Sequence, residues 1–168
     1  GKVQTVLGPI DPADLGITMT HEHLLVDLGC YVERPAEASR RAFLDAPVTM
    51  DMLSDVSVLQ WVSYDNLRLY DIATAIEEVS EYAYAGGRSL VDTTSISIGR
   101  DPLGLAKISR ATGLNVVMGG SYYLPTSHPP DMDARSEDSI AEQIARDVTE
   151  GVGATGIRSG VIGEVGNG

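Results

Sequence analysis

Two histidines separated by one residue, His21 and His23, have the types and the spacing best suited to chemistry in this chain. They end an apolar run that predicts a short strand over about residues 16–23. Side chains alternate between the faces of a strand, so both imidazoles point the same way, and a rise of about 3.3 Å per residue puts their Cβ atoms about 7 Å apart. Two imidazoles at that separation can hold one divalent metal ion. Glu22 faces the opposite side and is not a candidate ligand.

Most neighbouring histidines in proteins hold no metal, so the spacing of the pair alone does not establish a metal site. Two further observations strengthen the metal hypothesis. The chain has three histidines, and two of them form the pair. The pair also lies where a predicted strand ends, and strand ends carry the chemistry in many α/β proteins. The third histidine, His128, lies in a proline-rich loop and is expected at the surface or at the rim of a pocket.

Glu164 lies within the last predicted strand, about residues 160–166, and is the second candidate for the same site. A carboxylate that projects into the site can bridge two divalent metals about 3.5–4 Å apart. The structural alternative is an ion pair with Arg158. That alternative fits less well for a glutamate set between Gly163 and Val165 at the end of a buried strand, where an unpaired charge would be costly.

Two tyrosines and one cysteine complete the candidates. Tyr122 and Tyr123 follow the third predicted strand, where they either line the pocket and hydrogen-bond the substrate or pack at the strand end. Cys30 lies near the histidines in the sequence, but we expect it to be a small buried hydrophobe rather than a ligand. As the only cysteine it excludes an internal disulfide, and it fits a reducing compartment such as the cytoplasm.

Strands and helices alternate along the chain, which predicts an α/β fold with a parallel sheet and helices outside it. The spacing fits either an open doubly wound sheet or half of an eight-stranded barrel. The first turn lacks the Gly-x-Gly-x-x-Gly fingerprint of dinucleotide-binding folds, and a barrel explains a metal site at strand ends better. The predicted strands cover about residues 16–23, 89–94, 114–118 and 160–166, and the predicted helices cover about residues 66–85, 101–111 and 136–150.

Residues 29–64 interrupt the alternation, with short helices predicted at about 37–44 and 50–60. A connection of this length in a compact domain usually serves function or contacts a partner. We expect it to pack either over the site as a lid or against a second copy in a homodimer, with Trp61 buried in both cases.

The composition excludes several classes of protein. The formal net charge of -12 argues against binding nucleic acid through phosphates, which needs clustered lysine and arginine. No run of about 18 apolar residues is present, so no transmembrane helix is predicted. The expected partner is therefore a small molecule, with neither nucleic acid nor membrane involved.

Several stretches of the sequence resemble the phosphotriesterase family of the amidohydrolase superfamily. LGPI and DLGITMTHEHL, both within residues 7–24, are similar to the N-terminal signature of that family. VDTT at 91–94 and GRDP at 99–102 resemble its second strand and the following loop. GIRSGVI at 156–162 resembles the approach to its fourth strand. The resemblance covers nearly all of the chain except about residues 29–64, which look like an insertion.

This resemblance implies a (β/α)8 TIM barrel, of which the chain supplies about the first half, strands 1–4. It also implies a binuclear metal centre, usually zinc, that hydrolyses esters by attack of a metal-bridging hydroxide. His21 and His23 would bind the first metal, and Glu164 would bridge the two metals as the catalytic carboxylate. Many members use a carboxylated lysine at that position, whereas the phosphotriesterase-related branch has a glutamate. A lactone or a carboxylate ester is preferred to a phosphotriester as the substrate.

Some expectations stay open at this point. The family takes two further histidines from strands five and six and an aspartate from strand eight, and this sequence lacks them. The chain is therefore expected to be part of a longer protein, or else a half-barrel that another chain completes. The competing function is a small-molecule-binding protein without turnover, since some relatives are named resiniferatoxin-binding proteins. A deoxyribonuclease of the same superfamily is disfavoured by the acidic charge and by the signature around Gly16.

Overall fold

The computed structural model describes residues 1–58 and 63–166, in which short strands alternate with helices. The described strands are β1 (Val3–Thr5), β2 (Gly8–Ile10), β3 (Thr18–Glu22), β4 (Val26–Asp27), β5 (Arg68–Leu69), β6 (Ser89–Asp92) and β7 (Asn115–Met118). The described helices are α1 (Ala38–Arg41), α2 (Leu53–Val58), α3 (Ile72–Tyr84), α4 (Pro102–Thr112) and α5 (Glu137–Thr149).

Three parallel strands in the order β3, β6, β7 form the central sheet. The central strand β6 places Ser89 opposite Thr18 on one side and opposite Asn115 on the other. Helices α3 and α4 connect these strands and pack their apolar faces against them. The predicted α/β class with a parallel sheet is thereby confirmed. The most deeply buried core side chains include Leu90, Leu105, Ile108, Val116 and Met118.

Each of the three long helices begins at a side chain that caps its amino end. Asp71, Asp101 and Ser136 each accept a hydrogen bond from the backbone N–H three residues later. Helix α4 also has Pro102 at its first position and ends at Gly113, whose φ of 72° favours glycine. The longest helices in the described part of the chain, α3 and α5, have 13 residues each, and none of the described helices could span a bilayer.

The helix predicted over residues 66–85 begins later than expected, at Ile72. The residues before it form β5, which pairs antiparallel with β4. An ion pair reinforces this pairing, with 3.0 Å between Nε of Arg68 and Oδ1 of Asp27. Leu69, which the periodicity places on the helix, therefore lies in a strand and is exposed.

The fourth strand predicted over residues 160–166 is not formed, although this segment lies beside β7 as expected. Gly160 donates its N–H to the Met118 carbonyl oxygen at 2.8 Å. Beyond that bond, the segment turns and bonds to the loops that follow β6 and β7. A parallel ladder needs evenly spaced bonds to one neighbour, so this change of partner ends the strand.

Residues 29–64 contain the short helices α1 and α2 and single 3-10 turns, close to the predicted helical pieces. Met52 is buried, whereas Met50 and Val58 are 84% and 79% exposed. The prediction that Trp61 is buried falls outside the described residues. The choice between a lid and a subunit contact stays a prediction.

Replacement of Asp101 by alanine should lower the free energy of unfolding by about 1 kcal/mol, because it removes the cap of α4. The Asp101 Oδ1 atom accepts the Gly104 N–H at 2.9 Å. Urea denaturation followed by circular dichroism measures the change. Asp133→Ala, at an exposed position, is the control and should leave the unfolding midpoint where it is. Equal effects of the two substitutions would contradict the capping role.

Candidate metal centre

His21 lies on β3, and His23 lies one residue beyond its end. Strand β3 is irregular, because the three steps from Met19 to Glu22 face only two steps on β6. An extra residue of this kind re-aims side chains and is frequent beside active sites. The two imidazoles stand edge to face, with ring centroids 5.5 Å apart. The irregularity therefore accompanies a close pairing of both rings at the end of the strand.

A hydrogen bond to Thr94 orients the ring of His23. The His23 Nδ1 atom lies 2.9 Å from Thr94 Oγ1, and that hydroxyl donates to the Leu25 carbonyl oxygen at 3.1 Å. Because the hydroxyl proton is used there, we assign the remaining proton to His23 Nδ1. The neutral imidazole then presents the Nε2 lone pair to the site. A fixed tautomer of this kind is usual for histidines that bind metal.

The carboxylate of Glu164 meets both imidazoles. Its Oε2 lies 3.2 Å from His21 Nε2, and its Oε1 lies 3.5 Å from His23 Nε2. Its side chain is 17% exposed, whereas that of His21 is 59% exposed. The alternative partner, Arg158, instead donates to the Gln4 side chain. The structure thus brings Glu164 to the histidine pair and not to the neighbouring arginine.

A close approach of two backbone segments holds Glu164 in place. Its N–H donates to the Thr93 carbonyl oxygen at 3.0 Å, and Gly163 and Gly120 exchange backbone hydrogen bonds at 3.1 and 3.2 Å. A Cβ atom on Gly119 would overlap the Gly163 carbonyl oxygen and lie 3.1 Å from the Asp92 carbonyl oxygen. Gly163 itself has open space around it, and its peptide bond to Glu164 is cis. The glycine that permits the approach is therefore Gly119.

Asp92, which the sequence offered only as part of a motif, ties two strand ends together. It is fully buried, and its carboxylate accepts the N–H of Leu24 at 2.7 Å and that of Thr94 at 3.1 Å. Burial raises the pKa of this carboxyl above its ordinary value, while the two backbone donors oppose the rise. Asp92 thereby fixes the chain on either side of the hydrogen bond between His23 and Thr94.

The predicted pocket residues Tyr122 and Tyr123 differ in their contacts. The Tyr122 hydroxyl accepts from Arg135 Nη1 at 2.6 Å and donates to Gln143 Oε1 at 2.9 Å, which ties it to α5. The Tyr123 carbonyl oxygen lies 2.9 Å from His128 Nε2. The ring of His128 packs edge to face on that of Tyr122, so His128 serves this loop and is not brought to the histidine pair.

One expectation is wrong and one residue was missed in the 3-10 turn Gly29–Tyr31. Cys30 is exposed, not buried, because this turn lies at the surface and not in a strand. Its neighbour Tyr31 is the residue that was missed: burial raises the pKa of its phenol, a hydrogen bond with Ser127 opposes that rise, and the charges of Cys30, Tyr123 and Glu164 add smaller increases. No spacing rule points to Tyr31, since its position depends on how this turn packs.

The three candidate ligands form a donor set that suits a transition metal. One ligand atom from each of His21, His23 and Glu164 lies within 4.8 Å of the other two. In the described part of the chain, these three residues form the cluster of histidine, cysteine and carboxylate side chains that could hold a metal ion. Two imidazoles and a carboxylate make up the protein ligands of several catalytic zinc sites, which leave a further position open. Glu22 is outside the group and lines a cavity of about 570 Å³ together with His23 and residues of α3. The donor chemistry therefore fits zinc.

Comparison with known proteins gives the family. The model of the Phosphotriesterase family matches residues 1–168 of this chain. The chain belongs to the phosphotriesterase family. The resemblance found in the sequence is thereby confirmed.

Individual relatives of this phosphotriesterase-family chain carry different names. It is 37% identical over 167 residues to an N-acetyltaurine hydrolase from Tetraodon nigroviridis, covering 99% of this chain and 48% of that protein. It matches the crystal structure of a resiniferatoxin-binding protein from Rhodobacter sphaeroides with a TM-score of 0.94 and 43% identity, over 99% of this chain and 46% of the other. A mutant PTE-like lactonase from Deinococcus radiodurans gives a TM-score of 0.63 and 29% identity, over 95% of this chain and 44% of the other. The chain spans about half the length of these relatives.

Replacement of Gly119 by alanine should displace the segment that carries Glu164, because the new Cβ overlaps the Gly163 carbonyl oxygen. Overpacking of this kind costs about 1–3 kcal/mol. We expect a lower melting temperature and weaker zinc binding, measured by calorimetry of the full-length protein. Gly163→Ala, where nothing lies within 4 Å of the added atom, is the matched control. Unchanged zinc affinity in Gly119→Ala would contradict the role of this contact.

Proposed function

We propose that the full-length protein is a metal-dependent hydrolase with a binuclear zinc centre, part of which is held by His21, His23 and Glu164. The observation that carries the proposal is the convergence of one carboxylate on two imidazoles, at 3.2 and 3.5 Å. Membership of the phosphotriesterase family supports it. Other divalent ions that accept nitrogen and oxygen ligands are the alternatives to zinc.

The residues of this chain have distinct roles in the proposed centre. Glu164 would bridge the two metal ions as the catalytic carboxylate, and His21 and His23, each near one of its oxygens, would together hold the first ion. Two cations that are close together repel each other, and a shared anion offsets that repulsion. His23 keeps its Nε2 lone pair directed at the site through its bond to Thr94. When bound, the metal ions supply Lewis acidity and activate water at neutral pH.

We also propose that β3, β6 and β7 are the first strands of a (β/α)8 barrel and that residues 160–166 take the fourth place. The candidate ligands lie at and beyond the carboxyl end of β3 and beside the loop after β6, where TIM barrels carry their active sites. Residues 1–168 would then form the N-terminal part of one hydrolase domain. Residues 29–64 would be an insertion in that domain.

The bond cleaved is proposed to be the acyl C–O bond of a lactone or carboxylate ester or the acyl C–N bond of an N-acyl amide, in preference to a phosphotriester. Similarity to a protein named N-acetyltaurine hydrolase supports the amide, and similarity to a mutant PTE-like lactonase supports the lactone. Tyr123 and Tyr31 are proposed to border the substrate. Tyr122 would border it through its ring, because its hydroxyl is bonded to Arg135 and Gln143.

The partners proposed for the full-length protein are a small-molecule substrate and a second copy in a homodimer, without nucleic acid. The net charge of -12 supports the exclusion of nucleic acid. The exposed Met50 and Val58 of residues 29–64 support a contact between copies. A cytoplasmic location is proposed from the single cysteine of the chain.

Replacement of Glu164 by glutamine tests the bridge. The amide keeps the shape but removes the charge and turns one oxygen into a donor that cannot bind metal. We expect a loss of zinc, measured by mass spectrometry, and at least a 100-fold loss of hydrolysis on a panel of lactones, esters and N-acyl amides, about the loss on removal of one stabilising group in an active site. Glu22→Gln makes the same chemical change at a glutamate outside the candidate ligand group, so this variant should keep both its zinc and its hydrolytic activity. Two tightly bound zinc ions in Glu164→Gln would refute the bridging role.

Replacement of both His21 and His23 by asparagine should remove one metal ion and abolish hydrolysis while leaving the fold largely intact. Both side chains are partly or mostly exposed, at 29% for His23 and 59% for His21, so little packing is lost. Circular dichroism checks the fold, and metal analysis counts the ions. Full activity with the wild-type zinc content would rule out the assignment of these ligands.

The second candidate function is a small-molecule-binding protein on the same fold with little or no turnover. The observation that favours it is the similarity to a resiniferatoxin-binding protein, at a TM-score of 0.94. Metal content and turnover of the substrate panel distinguish the two functions. Zinc-loaded protein that binds panel members without hydrolysing any of them would favour the binding protein.

A further inference from the structure

An ion pair between Arg100 and Asp147 is buried beside the segment that leads to Glu164. The distance from Arg100 Nη2 to Asp147 Oδ2 is 2.7 Å, and the two side chains are only 4% and 8% exposed. The other Lys–Asp and Arg–Asp pairs in the described residues are far more exposed. Burial of two charges is costly, and an apolar pair of similar volume is often as stable. Stability of the fold alone therefore does not account for this pair.

The Arg100 side chain reaches two further groups with its other terminal nitrogen. Nη1 lies 3.3 Å from Ser159 Oγ and 3.4 Å from the Gly119 carbonyl oxygen. The Ser159 hydroxyl donates to that same carbonyl oxygen at 3.1 Å, and the Ser159 N–H donates to the Asp147 carbonyl oxygen at 2.9 Å. A planar guanidinium is suited to such simultaneous contacts. The cluster thus joins α5, the loop after β6, the end of β7 and the segment that leads to Glu164.

The cluster ends at the backbone that places Glu164. Gly119, whose carbonyl oxygen the cluster holds, donates its N–H to the Asp92 carbonyl oxygen at 2.7 Å. The next residue, Gly120, exchanges hydrogen bonds with Gly163. Ser159 lies five positions before Glu164, in the segment that carries the carboxylate. Arg100 and Ser159 therefore hold both backbones whose approach sets the position of the carboxylate.

We infer that Arg100, Asp147 and Ser159 are positioning residues that set the distance of the Glu164 carboxylate from the two histidines. The inference rests on the proposed function, because it gives the cluster a role in holding the metal ligands in place. None of the three residues touches the candidate centre. Their effect runs through the backbone at Gly119.

Ser159→Ala tests the inference, with Ser109→Ala as a matched control. Both hydroxyls are buried and donate to a carbonyl oxygen at an end of β7: Ser109 donates to Leu114 at 2.7 Å, and Ser159 donates to Gly119 at 3.1 Å. Only Ser159 lies in the cluster. Zinc affinity of the full-length protein is measured by competition with a chelator, and the melting temperature is measured on the metal-free protein.

We expect Ser159→Ala to bind zinc about 10-fold more weakly than Ser109→Ala, at the lower end of the loss seen when a group that hydrogen-bonds a metal ligand directly is removed. The melting temperatures of the two metal-free variants should fall by similar amounts. Arg100→Lys keeps a positive charge beside Asp147 but lacks the second terminal nitrogen that reaches Ser159 and Gly119. This variant should therefore also weaken zinc binding. Equal zinc affinities of Ser159→Ala and Ser109→Ala would overturn the inference. Absence of zinc binding in the wild type would instead overturn the proposed function, and this inference with it.

Discussion

The contact of one carboxylate with two imidazoles is the interaction on which the rest of this site depends. Glu164 and the two histidines are more than 140 positions apart in the sequence. Several strands and loops must therefore pack in the right positions before the carboxylate oxygens lie 3.2 and 3.5 Å from the imidazole nitrogens. Parallel strands bring these residues together, because the carboxyl ends of the strands lie at one edge of the sheet. Helices α3 and α4 are present because each parallel connection requires a crossover.

The backbone constraint behind this contact is the lack of space between the ends of β6 and β7 and the segment that carries Glu164. Gly119 has no room for a Cβ atom, and the fully buried Asp92 holds the chain just after the histidines. At the end of β6, the Asp92 carboxylate and the Thr94 hydroxyl are bonded to backbone groups just after the histidines. The site is therefore built into the edge of the sheet, where main-chain hydrogen bonds position the segment that carries Glu164.

The α/β class with a parallel sheet, and the meeting of His21, His23 and Glu164, could be predicted from the sequence. The spacing of His21 and His23 and the apolar periodicity are local, and local patterns determine strands and capped helices. The contacts that were missed join distant residues, such as Thr94 with His23, 71 positions apart, and Arg100 with Asp147, 47 positions apart. The fourth strand was predicted from an apolar run but changes partners, and Cys30 was predicted to be buried but lies on a surface turn. These features depend on how segments pack, which periodicity does not encode.

Anomalous X-ray diffraction at the zinc absorption edge, on crystals of the full-length protein grown with zinc, tests the central claim most directly. The account predicts two anomalous peaks that Glu164 shares, one of them within bonding distance of His21 Nε2 and His23 Nε2, at about 2.0–2.2 Å for nitrogen and oxygen ligands. Fully occupied zinc elsewhere, with no peak beside this carboxylate and these imidazoles, would contradict the account.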